Sequence, residues 1–375
     1  MRRKNAGIRL PLILMSPLFM PDGPVSTSYL MPMKKLFVLA TLSLVSAAYA
    51  ADVAYSPPVG GITVTLAGAV SGVPKVSTFT PAMRLTLGAN FVGKGRGTLT
   101  GVTATTLADS TAGWAAAGLS QPATPYFIRI RSGAAAGTWW QVASTTASTD
   151  TTVTVLNRGI NPQAAGVAVG DQYEVVPGDT LQTLFSDIAT SIGGPNASTA
   201  DVVRLHDGVG WREYFFNTTV GQWRQGSLPT NNNNVAVRPD AGVVYIRRGA
   251  GNISFVMLGA VSDAQEKITI GATGVTPIGS VFPVGGRTLG SLNLQNTPGF
   301  VVRTGTLAAA DKVSVFDGVG WRSFHYLQSA NQWREGSLPT NRNTFELPFN
   351  AAIVIERGTG ASGATFATLL PPYTL

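Results

Sequence analysis

Four aspartates recur at matching positions in the second half of the chain, and paired carboxylates can carry acid–base chemistry or bind a metal ion. Asp201 and Asp207 are followed 110 residues later by Asp311 and Asp317. Carboxyl pairs roughly 5–10 Å apart serve glycoside hydrolases, and calcium prefers oxygen ligands. Asp207 and Asp317 are each followed by Gly, however, which is an ordinary turn dipeptide. The turn interpretation is favoured, and a secreted hydrolase with Asp207 or Asp317 in its site is an alternative.

Four repeated tryptophans could bind a ligand in a protein that catalyses no reaction. Trp211, Trp223, Trp321 and Trp333 lie in two near-identical segments. Exposed rings could stack on sugar faces, and paired sites would gain avidity, whereas buried rings would stabilise the hairpins by cross-strand packing. Trp211 with Trp223, and Trp321 with Trp333, are predicted cross-strand neighbours. Packing is favoured because large aromatic side chains are mostly buried, but these four rings are the candidate ligand-binding residues.

Alternation along the strand that begins at Trp211 predicts its buried face. Tyr214 and Phe216 share one face, and the equivalent residues 110 positions later are Phe324 and Tyr326. Because successive side chains of a strand point to opposite faces, this aromatic face is predicted to be core. The opposite face, which carries Trp211, is predicted to be half exposed.

The two histidines give a weak chemical signal. His206 aligns with Phe316, and His325 aligns with Phe215. Neither has the spacing to a carboxylate or a second histidine that a metal site or a catalytic group would need. Each is interpreted as a strand position that accepts a ring of any kind. No catalytic residue, metal ligand or cofactor is predicted.

An internal repeat is the strongest organisational signal. Residues 207–212 recur unchanged at 317–322, and residues 222–231 recur at 332–341 with a single change. Weaker similarity extends on both sides at the same offset. The predicted domains are therefore a first β-repeat at 177–262, a connection rich in Gly, Thr and Pro at 263–285, and a second β-repeat at 286–375.

Residues 51–176 form a different unit with short apolar runs that alternate with Thr and end at Gly, Pro, Asn or Asp. This pattern is typical of antiparallel strands and turns. The fold class is predicted to be all-β, with an N-terminal β-sandwich or small barrel followed by two homologous antiparallel β-repeats. The one short helix candidate is residues 180–185.

A secretory signal peptide is predicted at residues 33–50. Met33-Lys34-Lys35 supplies a basic start, a short apolar run follows, and Ala48-Tyr49-Ala50 provides a small-residue cleavage site. The apolar run is shorter than the ~20 residues that span a bilayer, so no stable membrane span is expected after cleavage. Signal peptides normally begin at the initiating methionine, and Met33 lies directly before the basic residues of this one. Residues 1–32 are therefore interpreted as an upstream extension that is not normally translated.

Net charge and cysteine content limit the kinds of partner and chemistry that this chain can have. Residues 1–50 hold six of the 27 Lys and Arg residues and one of the 19 Asp and Glu residues, so the remaining chain has a net charge of about +3 rather than +8. Its basic residues are scattered, which argues against a nucleic-acid partner. The chain has no cysteine, which disfavours redox and thiolate–metal chemistry.

The predicted signal peptide, the run Pro58-Val59-Gly60-Gly61, the strand at 170–175 and the Trp-Arg repeats resemble a family of uncharacterised secreted β-rich bacterial proteins. The resemblance covers most of residues 51–375 and implies no activity. We expect an exported, non-enzymatic structural or interaction protein of the cell surface, extracellular space or periplasm. Its partners would be a polysaccharide or a surface protein, and strand edges could also support self-association.

Overall fold

The chain folds into antiparallel β-sheets with little helix, which confirms the all-β prediction. A computed structural model describes residues 59–81, 95–262, 264–279 and 285–372. The predicted extension at 1–32 and the predicted signal peptide at 33–50 lie outside these residues. In the described part, no helix is long and apolar enough to cross a membrane.

The strands, in chain order, are β1 Val59–Leu66, β2 Lys75–Phe79, β3 Arg96–Thr98, β4 Gly101–Val102, β5 Thr106–Ala108, β6 Tyr126–Ile130, β7 Trp139–Gln141, β8 Thr152–Thr154, β9 Gln172–Pro177, β10 Asp179–Thr180, β11 Val202–His206, β12 Trp211–Asn217, β13 Gln222–Gln225, β14 Ala236–Val237, β15 Val243–Arg247, β16 Ile253–Ala260, β17 Glu266–Ile270, β18 Val275–Ile278, β19 Lys312–Phe316, β20 Trp321–Leu327, β21 Gln332–Glu335, β22 Ile353–Glu356 and β23 Thr365–Leu369. Short helices are α1 Trp114–Ala117, α2 Leu181–Leu184 and α3 Ala189–Ile192, with 3₁₀ turns at Gly290–Leu292, Leu294–Asn296, Leu307–Ala309 and Gln328–Ala330. The predicted short helix is α2, where the Thr180 and Thr183 side chains form a capping box.

Two five-stranded sheets have the same strand order. The first sheet is β13-β12-β11-β15-β2, and the second sheet is β21-β20-β19-β22-β18. Residues 110 positions apart have matching partners: Phe216 lies opposite Trp223, and Tyr326 lies opposite Trp333. A two-stranded ribbon accompanies each sheet, β1 with β16 and β17 with β23.

Each five-stranded sheet buries one face on its own hydrophobic core. The first core includes Phe79, Phe185 and Trp223, together with residues of β1 and β16. The second core includes Phe324 and Trp333, together with residues of β17 and β23. The aromatic face of β12 and β20 is therefore core, as the alternation predicts.

The predicted domain boundaries differ from the strand pairing. Strands β1 and β2 lie within the predicted N-terminal unit at 51–176, yet they pair with β16 and β15 of the first repeat. The predicted connection at 263–285 contains β17 and β18, which pair with β23 and β22 of the second repeat. The closely matching segments, 207–212 and 222–231, cover only the start of β12, all of β13 and the adjoining turns, so the sequence repeat did not reveal these partner strands.

The N-terminal unit, residues 95–177, buries a separate core between a four-stranded sheet, β3-β9-β6-β7, and a three-stranded sheet, β4-β5-β8. It contacts the second repeat through a buried ion pair. The Arg129 guanidinium lies against Glu266, and the two side chains are 1% and 0% exposed. Ser262 Oγ and Trp139 Nε1 also donate to Glu266, at 2.7 and 2.6 Å.

The two five-stranded sheets meet through reciprocal contacts. Thr80 N–H donates to the Asn350 carbonyl at 3.0 Å, and Gly279 N–H donates to the Asp240 carbonyl at 3.2 Å. The strand registers make Thr80 equivalent to Gly279 and Asn350 equivalent to Asp240. Contacts of this kind, i to j and j to i, characterise two units related by a two-fold axis.

Gly242 lies at a close contact between the two sheets. A Cβ atom at Gly242 would lie 2.3 Å from the Cβ atom of its own equivalent, Ala352. We expect Gly242→Ala to lower the free energy of unfolding by about 1–3 kcal/mol, because the backbones must separate to admit the extra carbon. Chemical denaturation would measure this loss.

The control for Gly242→Ala is the double variant Gly242→Ala/Ala352→Gly, which moves the methyl group to the other sheet. It should recover a large part of the lost stability. A single variant as stable as the original protein would contradict the close contact of the two sheets at Gly242 and Ala352.

Candidate functional site

A cleft lies between the outer faces of the two five-stranded sheets, on the sides opposite their cores. Its volume is about 550 Å³, within the range of small-molecule sites. Trp211 of β12 and Trp321 of β20 both line it, together with the buried valines Val244 and Val354. Each of these two pairs consists of residues 110 positions apart, so the two walls present equivalent apolar groups.

A second ring holds each cleft tryptophan from the side. The His206 ring contacts Trp211 edge-on at a centroid distance of 5.5 Å, and the Phe316 ring contacts Trp321 in the same way at 5.6 Å. His206 and Phe316 therefore occupy the same packing position, and the interpretation of position 206 as one that accepts any ring stays a prediction. Trp321 is 45% exposed, and Trp211 is partly exposed, so both indoles are fixed by packing and remain accessible.

Paired charges line the cleft beside the tryptophans. Arg204 Nε donates to Glu213 Oε1 at 2.8 Å across the β11–β12 pair. In the second sheet, Lys312 Nζ donates to Glu356 Oε1 at 3.0 Å across the β19–β22 pair. These groups leave the cleft near electrical balance and supply hydrogen-bond donors and acceptors around an aromatic centre.

The predicted pairing of the tryptophans is wrong. Trp211 lies opposite His206 on β11, whereas Trp223 lies opposite Phe216 on β12. Trp223 and Trp333 are 1% and 0% exposed and belong to the two cores. They cannot stack on a ligand, and only Trp211 and Trp321 of the four candidates can do so. Alternation along β12 and β20 assigns Trp211 and Trp321 to the face opposite the core, but only the register of β13 and β21 places Trp223 and Trp333 against it.

The face of β12 that carries Trp211 is less exposed than predicted. Phe215 is 4% exposed, and its equivalent, His325, is 1% exposed. Arg303 Nη1 lies 3.1 Å from His325 Nε2, so the far end of this face is covered in the second repeat. The open part of the face is confined to the end near Trp211 and Trp321.

The turn aspartates are engaged by their own turns. One oxygen of Asp207 accepts hydrogen bonds from Val209 N–H and Gly210 N–H, and the other accepts one from Arg212 Nε at 2.7 Å. Burial raises the pKa of Asp207, but these hydrogen bonds outweigh it and hold the pKa below its usual range. Asp317 has the same two backbone donors, which also lower its pKa. A general acid needs the opposite shift, so this geometry favours the turn interpretation.

The other two repeated aspartates are buried. Asp201 accepts from Arg247 Nη1 at 2.5 Å and from Tyr245 Oη at 2.7 Å. Asp311 pairs with Arg357 in the equivalent place, and both of those side chains are nearly inaccessible. Asp201 therefore links the start of β11 to the end of β15, and Asp311 links the start of β19 to the end of β22. Over the residues that the structure describes, no group of three or more His, Asp or Glu side chains could hold a metal ion.

Sequence reasoning missed most of the polar groups of the cleft. Arg204, Ser314 and Glu356 were not among the candidates, although each lies on a strand of the repeat. Counting every second residue from Trp211 across the paired strands could have found Arg204, which lies opposite Glu213. It could not have shown that the second sheet closes the cleft.

Comparisons with family models, with curated proteins and with solved structures find no match for this chain. The resemblance to secreted β-rich bacterial proteins therefore stays a prediction, and the function must be argued from the cleft itself.

Proposed function

We propose that this protein is an exported, non-enzymatic interaction protein that binds carbohydrate in the cleft between its two five-stranded sheets. The observation that carries the proposal is the presence of two equivalent, accessible tryptophans, Trp211 and Trp321, in one cleft. Export is proposed from the signal-peptide pattern at residues 33–50.

The chemistry of the cleft suits a sugar. A tryptophan ring has a flat apolar surface with negative charge density on its faces, which attracts the slightly positive C–H groups on one side of a pyranose ring. Sugar hydroxyls both donate and accept hydrogen bonds, and the Arg204–Glu213 pair offers both kinds of partner at the surface. A mainly aromatic site with a few polar groups is the usual composition of a small-molecule pocket.

The absence of catalysis is proposed because the repeated carboxylates already have structural partners. Asp207 and Asp317 accept hydrogen bonds within their turns, and Asp201 and Asp311 pair with buried arginines. Glu213 and Glu356 are the carboxylates that line the cleft, and each has a basic partner across the strand pair. Glycoside hydrolases place two carboxyl groups on either side of the scissile bond, and none of the four repeated aspartates is among the described residues that line the cleft.

A glycan array probed with the purified protein and with Trp211→Ala/Trp321→Ala tests this function. We expect the original protein to bind a subset of glycans and the double variant to lose that signal, because the stacking surfaces are removed. The control is Val209→Ala/Val319→Ala, which changes two residues about 90% exposed at neighbouring turns and should bind normally. Absence of binding to any carbohydrate, or unchanged binding by the double tryptophan variant, would overturn the proposal.

A further inference from the structure

We infer that the cleft contains two equivalent aromatic subsites and that its ligand is a neutral oligosaccharide long enough to contact both Trp211 and Trp321. This inference rests on the proposed carbohydrate-binding function and specifies the charge and the length of the ligand. It depends on the symmetry of the two walls and on the charges beside the two rings.

The two sheets that line the cleft are equivalent, so the Trp211 and Trp321 rings form equivalent subsites. Trp211 and Trp321 occupy the first position of equivalent strands, and each packs edge-on against the last residue of the preceding strand. The reciprocal contacts that join the two sheets place these strands about an approximate two-fold axis. One sugar unit stacks on one ring, so a ligand that reaches both rings must contain at least two units.

The charges favour a neutral ligand. The charged groups that line the cleft are Arg204, Glu213 and Glu356. Arg204 is neutralised by Glu213, at 2.6 Å between Nη2 and Oε1, and Glu356 is paired with Lys312. Among the described residues that line the cleft, no excess positive charge is left to bind a carboxylate or sulfate group, and an acidic sugar would meet two carboxylates.

Contact with both rings predicts a dependence on ligand length. The second ring would act at high effective concentration once the first sugar unit is bound. Affinity should therefore rise steeply when the oligosaccharide becomes long enough to reach the second ring, and then change little. A single-ring site would show no such step.

Isothermal titration calorimetry with neutral oligosaccharide series tests this inference. The probes are oligomers of glucose, mannose, xylose, galactose and N-acetylglucosamine, from the disaccharide to the octasaccharide, with oligogalacturonates as the acidic comparison. We expect the best series to gain about tenfold or more in affinity over one or two added units. Trp211→Ala and Trp321→Ala, made separately, should each remove that gain, because either change leaves a single ring. The control Val209→Ala/Val319→Ala should keep it.

The outcomes separate the inference from the function on which it rests. Length-independent binding of neutral oligosaccharides would overturn the two-subsite inference and leave carbohydrate binding intact. Tighter binding of oligogalacturonates than of every neutral series would overturn the assignment of a neutral ligand. Failure of all series to bind, with no signal on the glycan array, would overturn the proposed function itself.

Discussion

Arg129→Met is expected to lower the free energy of unfolding by about 3–5 kcal/mol, the usual cost when one partner of a buried ion pair is removed. Arg129 is 1% exposed and contacts two buried carboxylates, Glu174 at 3.0 Å and Glu266. Methionine fills a similar volume but leaves the charge of Glu266 without its guanidinium. Guanidinium denaturation followed by tryptophan fluorescence would measure the loss.

The pH dependence of this effect has a definite sign. Burial raises the pKa of Glu266 to about 7, although Arg129 opposes the shift. The folded protein therefore holds the proton of Glu266 more tightly than the unfolded chain does, and this difference stabilises the fold at pH values below the ordinary pKa of a glutamate. The stabilisation is lost as the pH rises through about 7. Without Arg129 the charged form is less favourable still, so Arg129→Met should cost more at about pH 8 than at about pH 5.

The double variant Arg129→Met/Glu266→Met is the control for the Arg129 prediction. It removes both members of the pair and should be more stable than Arg129→Met alone, because replacing a whole buried pair by apolar side chains is often neutral or stabilising. A loss below about 1 kcal/mol for the single variant, or an additive loss in the double variant, would contradict the description of this contact.

Trp333→Ala should cost about 3–5 kcal/mol of folding free energy, as expected for a large aromatic removed from a packed core. Trp333 is 0% exposed, and its ring packs against Tyr326 at 5.6 Å and Phe300 at 6.0 Å. Trp321→Ala should change stability by only about 0.5 kcal/mol, because surface substitutions have small effects and Trp321 is 45% exposed.

The two substitutions remove the same side chain from one repeat, so denaturation curves can be compared directly. The first repeat supplies an independent pair, Trp223→Ala and Trp211→Ala, with Trp223 at 1% exposure. The core variants should unfold at lower denaturant in both repeats. Equal losses for Trp321→Ala and Trp333→Ala would contradict the division of the tryptophans into core and cleft residues.

The local features of the fold could be predicted from the sequence, because they depend on neighbouring residues. Alternation assigned Tyr214 and Phe216 to the core, and the short helix candidate at 180–185 corresponds to α2. The pairing of β2 with β15 joins residues about 170 positions apart, and no local pattern encodes such a pairing. In the equivalent pairing of β18 with β22, β18 lies in a stretch that composition alone assigns to a connection.

The candidate site was predicted in part for the same reason. Trp211 and Trp321 were found because their residue type and repetition are visible in the sequence. Trp223 and Trp333 share both properties, and only the strand register separates the buried pair from the accessible pair. The cleft itself depends on how two distant sheets meet at Thr80, Gly242, Gly279 and Ala352.

Indole N–H resonances give the most direct test of the central claim, that Trp211 and Trp321 hold the ligand. The chain has seven tryptophans, each of which supplies one such resonance, and single substitutions assign them. On titration with the tightest-binding neutral oligosaccharide, we predict that the signals of Trp211 and Trp321 shift together, while those of the buried Trp223 and Trp333 stay in place. Shifts confined to other tryptophans, or none at saturation, would contradict the account.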